Sequence, residues 1–240
     1  MCDEKKRGAK KLNCLLCDSQ FSQSLTWRSL FLLEPDEKVC HPCKRQLQRI
    51  AGTVCPSCGR PQNTNEKCPD CTEWESRIDR GFLLSRNRSV YLYNEMMKES
   101  LARFKFRGDA ELLHVFKTDF VSEFSTAYPE KSYVLIPIPL SEERKAERGF
   151  NQSELLAKCL DRPIIHSLTR LDNEKQSKKN KAERLLFKRV FDTEINSVAD
   201  MDVILIDDLY TTGATLHHAA RCLLEKGKAG SVSSFTLIRS

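Results

Sequence analysis

Apolar residues beyond about position 90 recur in two alternating patterns, short continuous runs and one-sided helical faces. The run YVLIPIP at 133–139 is typical of a buried parallel strand, and segment 109–124 has its apolar residues on one helical face. The predicted elements are helices at 91–104 and 109–124, a strand at 133–139, a helix at 152–160, strands at 164–166 and 203–206, a helix at 214–227 and a strand at 232–238. This strand–helix–strand order predicts an α/β fold with a parallel open sheet, because crossovers between parallel strands are right-handed.

The first 75 residues lack this periodicity and contain most of the cysteines. Eight of the eleven cysteines lie between Cys14 and Cys71. We therefore expect a disordered basic tail at 1–12, a cysteine-rich zinc-binding domain at 13–75 and the α/β domain at 85–240. The cysteine-rich segment is too short and too polar for a hydrophobic core of its own, so a metal or disulfides must stabilise it.

The eight cysteines form four CxxC pairs. The amino-terminal residues do not resemble a secretory signal peptide, so we expect a cytoplasmic protein that reaches the inner face of the membrane only through partners. In a reducing compartment such pairs are metal ligands more often than disulfides, and two pairs complete the S₄ shell of one Zn²⁺. We expect two structural zinc ions with sequential pairing, while interleaved pairing and free or redox-active thiols stay open. The pairs are Cys14 with Cys17, Cys40 with Cys43, Cys55 with Cys58, and Cys68 with Cys71.

The net charge of +6 is modest, but the cations are clustered. Segment 175–189 contains seven Lys and Arg residues and one acid, Glu183. Three interpretations compete for this segment: a lid that closes on diphosphate, a surface that follows a nucleic-acid backbone, and a solvated loop. No apolar run approaches the roughly 18 residues of a membrane span, so we expect no transmembrane segment.

Candidate chemistry concentrates directly after the strand predicted at 203–206. Two adjacent carboxylates are followed by small and hydroxylated residues at the start of a helix, where backbone N–H groups and the helix dipole favour a phosphate. Carboxylates beside a phosphate site are suited to accept hydrogen bonds from sugar hydroxyls. A ligand with both a phosphate and such hydroxyls is a ribose 5-phosphate. The alternative is a helix cap with incidental acids. The residues concerned are Asp207, Asp208, Thr211, Thr212, Gly213, Ala214 and Thr215.

This segment resembles the ribose-phosphate motif of type I phosphoribosyltransferases, in which an apolar strand is followed by paired acids and a TTGxT loop. The resemblance implies that Asp207 and Asp208 hold the ribose hydroxyls and that the loop from Thr211 to Thr215 holds the 5-phosphate. It also implies a phosphoribosyl diphosphate-type ligand bound together with Mg²⁺.

The whole chain resembles the ComF family of late competence proteins of naturally transformable bacteria. The order of a cysteine zinc module, the block ERGFNQ at 147–152 and the paired-acid loop is similar to that family. The resemblance implies diphosphate contacts from the loop at 139–149, through Arg144, Lys145, Arg148 and the helix start at Asn151, although a solvated charged loop is the alternative. It also implies a role in natural transformation, in which the protein handles incoming single-stranded DNA together with a helicase-like competence ATPase.

No general base for transfer is evident in the sequence. Hypoxanthine–guanine transferases have an acid where this chain has Thr211, whereas orotate-type enzymes work without one. Three hypotheses therefore remain: a competence factor that binds a phosphoribosyl ligand, an active phosphoribosyltransferase of unknown acceptor, and a zinc-dependent DNA-binding adaptor with a vestigial pocket.

Overall fold

A computed structural model describes residues 9–24, 37–77, 83–106, 110–130, 132–171 and 190–240. In the cysteine-rich region, strand β1 (Ala9–Asn13) pairs antiparallel with β2 (Gln20–Ser24), followed by helices α1 (His41–Gln46) and α2 (Pro69–Arg77). Residues 9–12, predicted as part of a disordered tail at 1–12, belong to β1, whereas residues 1–8 lie outside the described residues.

The larger region contains a parallel sheet with helices, as the apolar pattern predicts. Four strands form the sheet in the order β3–β8–β7–β4, every neighbouring pair is parallel, and β5 pairs with β6 in a separate antiparallel ribbon. In chain order the elements are β3 (Asn87–Leu92), α3 (Glu95–Phe106), a 3₁₀ helix (Ala110–Leu112), α4 (Leu113–Ala127), β4 (Val134–Pro137), α5 (Glu142–Arg148), α6 (Gln152–Ala157), β5 (Thr169–Arg170), β6 (Phe191–Asp192), β7 (Asp202–Tyr210), α7 (Ala214–Glu225) and β8 (Ser231–Arg239).

The predicted helix at 91–104 and the predicted strand at 164–166 differ in the structure. Tyr91, predicted to start a helix, lies in β3 opposite Ile238 and is fully buried, so tertiary pairing decides its conformation. The helix starts later, and the side chain of Asn94 accepts a hydrogen bond from Met97 N at 2.9 Å. The strand predicted at 164–166 is reduced to a single parallel bridge between Ile164 and Leu135.

The hydrophobic core lies on both faces of the sheet. On one face aromatic side chains of α4 pack against β8, with Phe120 and Phe124 at 4.7 Å and 5.3 Å from the Phe235 ring. On the other face Leu216, at the start of α7, is buried in the same apolar cluster as Leu205 of β7. Both faces are covered, which explains why the central strands have continuous apolar runs instead of an alternating pattern.

The segment between the second and third CxxC pairs covers the outer edge of β3. Ile50 N donates to Val90 O at 2.8 Å, and Leu92 N donates to Gln48 O at 2.9 Å. These bonds satisfy an edge strand that would otherwise expose its backbone groups. They also attach the cysteine-rich region to the sheet through the main chain. Among the described residues, no helix is both long and apolar enough to cross a membrane.

Candidate functional site

The eight CxxC cysteines form two separate clusters with sequential pairing, as predicted. One cluster contains Cys14, Cys17, Cys40 and Cys43, and the other contains Cys55, Cys58, Cys68 and Cys71. We call them the first and second Cys₄ sites. Within each site the ligand sulfurs lie within 4.8 Å of one another.

The sulfur positions fit tetrahedral zinc. The Cys17–Cys40 and Cys55–Cys71 sulfur distances are 3.8 Å, and the Cys58–Cys68 distance is 3.6 Å. A Zn–S bond of about 2.3 Å gives a tetrahedral edge of about 3.8 Å. Seven of the eight thiols are buried. Four thiolates would close the coordination shell of a zinc ion, which would then supply structural stability and leave no position for a reacting water.

Backbone geometry around both sites supports metal binding by thiolates. Cys40 N donates to Cys14 Sγ at 3.3 Å, and Cys68 N donates to Cys55 Sγ at 3.4 Å. Such N–H···S bonds orient the ligands and stabilise their charge. The residue after the second cysteine of the first pair in each site has a left-handed backbone, with φ of 59° at Asp18 and 73° at Gly59. At Gly59 a side chain would also meet the carbonyl oxygen of Asn87 at 2.9 Å, which requires glycine.

The paired acids lie at the carboxyl end of β7, within a strand that extends to Tyr210 instead of ending at Ile206. Asp207 Oδ1 accepts hydrogen bonds from Ser153 Oγ and from the backbone N–H of Asp208, both at 2.9 Å. Burial, followed by the negative charge of Asp208, raises the pKa of Asp207 from 3.8 to about 7. Asp208 is itself buried and forms an ion pair with Lys105 Nζ at 2.9 Å. The two carboxylates are therefore held by different partners, one neutral and one cationic.

Residues 211–215, which we call the phosphate loop, connect β7 to α7. Gly213 precedes the first helical residue with φ of 79°, and a Cβ there would clash with the hydroxyl of Tyr210. Thr211 and Thr212 are exposed, whereas Ala214 and Thr215 are partly buried in the first turn of α7. The loop therefore presents its hydroxyls and the amino end of a 12-residue helix at the same edge of the sheet as the acids.

The basic residues predicted for diphosphate lie on α5, a short helix within the segment predicted as a loop at 139–149. Ser141 caps the helix by accepting from Arg144 N at 3.4 Å. Arg144 and Lys145 are exposed, while Arg148 is partly buried and donates to Gln152 Oε1 at 3.2 Å. The side chain of Asn151 caps α6 through Ser153 N, so its amide oxygen has a structural role.

Two basic residues near the acids were not predicted from the sequence. Lys105 comes from α3, far from the motif along the chain. Arg170 comes from β5, and burial, followed by the positive charge of Arg144, lowers its pKa, whereas the charge of Asp207 raises it. Arg170 therefore lies within electrostatic range of both α5 and the acid pair. Neither residue belongs to a recognisable motif, and only the tertiary structure brings them to the site. The basic segment at 175–189 lies outside the described residues.

Comparisons with known proteins agree with this architecture. A double zinc ribbon domain model matches residues 2–72, and a phosphoribosyl transferase domain model matches residues 156–240. The chain is 66% identical over 240 residues to "Competence protein ComFC" of Bacillus subtilis (strain 168), with 100% of both chains covered. It is 36% identical over 229 residues to "Competence protein ComFC" of Streptococcus pneumoniae, covering 95% of this chain and 100% of that protein.

A more distant similarity points in the same direction. The chain is 26% identical over 219 residues to "DNA utilization protein YhgH" of Escherichia coli O157:H7, covering 84% of this chain and 90% of that protein. The full-length identity, the double zinc ribbon and the phosphoribosyltransferase domain together show that the chain belongs to the ComFC family of competence proteins.

Proposed function

We propose that this protein acts in competence by binding a phosphoribosyl diphosphate-type ligand and incoming single-stranded DNA in the cytoplasm. One observation carries the ligand proposal: the acid pair and the phosphate loop lie together at the carboxyl end of the central strand β7. Open α/β sheets bind their ligands at this edge.

Each part of the site suits one part of the ligand. The hydroxyls of the phosphate loop and the N–H groups at the start of α7 suit the 5-phosphate, because the helix dipole favours an anion there by about 0.3–1 kcal/mol. Asp207 and Asp208 suit the 2- and 3-hydroxyls of the ribose, which donate hydrogen bonds to carboxylates. Arg144, Lys145, Arg148 and Arg170 supply positive charge for the diphosphate, and Arg is suited to bidentate phosphate contacts.

Mg²⁺ would bind with the diphosphate and neutralise part of its charge. Mg²⁺ prefers oxygen ligands, and the carboxylates of Asp207 and Asp208 can serve as such ligands, directly or through water. Lys105 already pairs with Asp208 at 2.9 Å, so a cation or a hydroxyl donor that reaches Asp208 must share it with the Lys105 ammonium. The raised pKa of Asp207, about 7, also implies that this carboxylate is about half protonated near pH 7 and becomes fully charged only at higher pH.

The proposed DNA interaction is supported by family membership and by charge. A relative is named "DNA utilization protein YhgH", and α5 exposes the cations Arg144 and Lys145 at its surface. Single-stranded nucleic acid is bound largely through its phosphates, and each phosphate contact adds to the salt dependence. We propose that this surface and segment 175–189 contact the strand, and that a helicase-like competence ATPase is the protein partner.

The ligand proposal is tested by calorimetric titration of phosphoribosyl diphosphate with Mg²⁺ into wild type and the Asp207→Asn, Asp208→Asn double variant. We expect saturable binding to wild type and its loss in a variant that stays folded by circular dichroism. No binding to folded wild type would refute the ligand proposal.

The DNA proposal is tested separately, by anisotropy of a labelled single-stranded oligonucleotide at several salt concentrations. Neutralising Arg144, Lys145 and Arg148 should weaken binding and lower the salt slope, by about 0.7 for each DNA phosphate that these cations no longer neutralise. Binding that does not depend on salt, or an unchanged slope in the variant, would refute the assigned surface. Co-purification with the competence ATPase, compared with and without nuclease treatment, tests the protein partner independently of shared DNA.

A further inference from the structure

The second Cys₄ site contacts the phosphate loop through a buried arginine. Arg239, the last residue of β8, has only 2% of its surface exposed. Its Nη2 lies 3.6 Å from Cys58 Sγ, and its Nη1 donates to Thr211 O at 3.1 Å. Its guanidinium lies over the Tyr210 ring, 4.7 Å from the centroid. One side chain therefore joins a ligand sulfur of the second site to the backbone of the phosphate loop.

A tryptophan of the zinc ribbon makes a second, independent connection. Trp74 lies on α2, one helical turn after Cys71. Its indole Nε1 donates to Thr212 O at 3.0 Å, and its ring stacks on His217 of α7 with centroids 4.6 Å apart and planes 19° apart. The second Cys₄ site thus contacts the loop backbone and, through His217, the first turns of the helix that follows.

These two contacts fix the directions of consecutive peptide groups. A trans peptide is planar, and its C=O and N–H point to opposite sides. Because Thr211 O accepts from Arg239, the N–H of Thr212 points away from that guanidinium. Because Thr212 O accepts from Trp74, the N–H of Gly213 points away from the indole. The two bonds therefore set how these N–H groups, just before α7, are presented to an anion.

Charge explains why the arginine belongs beside the metal site. A buried guanidinium requires an anionic partner, because removing it from water is costly. Four thiolates with one Zn²⁺ carry two net negative charges, and the N–H of Arg239 is aimed at one of these sulfurs. The residues therefore fit a zinc-loaded second site, whose net negative charge compensates the guanidinium together with the hydrogen bonds from Arg239 to Thr211 O and Ser240 O.

The first Cys₄ site has different neighbours. Its buried cysteines belong to the apolar cluster that includes α3 and α4, whereas those of the second site pack with Tyr210 and Leu216. Its contact to the larger region runs through Arg103 of α3, which donates to Leu16 O at 2.9 Å. The two sites are therefore attached to different parts of the domain.

We propose that Arg239 and Trp74 are positioning residues through which the second Cys₄ site holds the phosphate loop in its anion-binding conformation. Ligand affinity then depends on the second site and not on the first. The part of this inference that concerns affinity rests on the proposed function, whereas the coupling between zinc site and loop does not.

The coupling is tested without ligand, by amide hydrogen exchange of the peptide that contains residues 211–215. Trp74→Phe keeps an aromatic ring for stacking but removes the N–H donor to Thr212 O. We expect amide exchange in this peptide to be about two- to tenfold faster, because the variant loses one hydrogen bond that holds the loop. The control is Tyr133→Phe, which removes the polar group of an aromatic residue that packs on Tyr128, and it should leave this peptide unchanged. Unchanged exchange in Trp74→Phe would overturn the coupling.

Calorimetry with phosphoribosyl diphosphate and Mg²⁺ tests the consequence for binding. Trp74→Phe should weaken affinity about two- to tenfold without lowering the unfolding temperature by more than the control does. Arg239→Lys keeps the charge but loses the planar fork, and it should weaken affinity in the same direction. Wild-type affinity in Trp74→Phe would overturn the dependence on this residue. If wild type binds no ligand, the proposed function fails, and hydrogen exchange still decides the coupling.

A final comparison separates the two metal sites. Cys17→Ser removes a ligand of the first site and should reduce zinc to about one per chain while affinity stays within about twofold. Cys58→Ser does the same at the second site and should reduce affinity at least about tenfold. In Trp27→Phe, where Trp74 is the one remaining tryptophan, ligand should also change the indole emission. Equal effects of the two cysteine variants on affinity, both folded, would overturn the specific role of the second site.

Discussion

Replacing Asp207 with Asn should stabilise the folded protein while it removes the proposed ribose contact. Burial, followed by the charge of Asp208, raises the pKa of Asp207 to about 7, so the folded state disfavours the charged carboxylate. An amide has neither the desolvation penalty of a charge nor the repulsion from Asp208. Its Oδ1 can still accept the hydrogen bond that Ser153 Oγ donates at 2.9 Å. The wild-type residue therefore lowers stability at a position that we propose for the ribose contact.

The magnitude follows from the difference between the folded and unfolded pKa of this group. A shift from 3.8 to about 7 corresponds to about 4 kcal/mol at full ionisation. Because the side chain of Asp207 is partly exposed, we expect Asp207→Asn to raise the free energy of unfolding by only about 1–3 kcal/mol. Each kcal/mol corresponds to about 2–4 °C in unfolding temperature. The folded state binds this proton more tightly than the unfolded chain does. Wild type therefore loses stability as pH rises from about 4 through about 7, and the variant does not.

The assay is thermal unfolding of wild type and Asp207→Asn at about pH 5.5 and about pH 8, with zinc content measured at both pH values because zinc binding by thiolates depends on pH. The gain in unfolding temperature should be larger at the higher pH. The matched control is Asp208→Asn, which breaks the 2.9 Å ion pair with Lys105 and should lower the unfolding temperature. A loss of stability in Asp207→Asn at pH 8, or a gain of equal size at both pH values, would refute this account of the acid pair.

The zinc sites, the phosphate loop and the cations of α5 give further expected outcomes. Metal analysis should find about two zinc per chain. Chelation should unfold the ribbon, because structural zinc contributes on the order of 10 kcal/mol per site to folding. Metal-free protein with reactive thiols would contradict both expectations. Gly213→Ala should lower stability by about 1–3 kcal/mol and weaken ligand binding, because its left-handed backbone and the Tyr210 hydroxyl both oppose a side chain. Gly149 also has a left-handed backbone, but a Cβ there would meet no other atom. The loss of stability in Gly149→Ala therefore measures the contribution of backbone strain alone. Arg144→Ala with Arg148→Ala should weaken phosphoribosyl diphosphate about tenfold and spare ribose 5-phosphate in calorimetry, and equal losses for both ligands would argue against diphosphate contacts.

Much of the fold was predictable because it depends on local patterns. The apolar runs at 133–139 and 203–206 become β4 and the buried part of β7, and the CxxC spacing identifies all eight cysteines of the two Cys₄ sites. The small residues predicted at the start of a helix after β7 do lie there, with Gly213 directly before α7, whereas their role in phosphate binding stays a prediction. Boundaries were less predictable. Tyr91 belongs to a strand although its sequence neighbourhood favours a helix, because its partner is Ile238, far away along the chain.

The sequence by itself determined the chemistry available to this protein: the thiolate pairs, the adjacent carboxylates and the hydroxylated loop all lie within short segments. The tertiary structure decided which groups face them. Lys105 reaches Asp208 from another helix, and Arg239 and Trp74 join the second Cys₄ site to the phosphate loop. These contacts depend on how strands and helices pack, and packing juxtaposes residues whose separation along the chain exceeds 100 positions. A pattern with a period of two or 3.6 residues contains no information about such pairs.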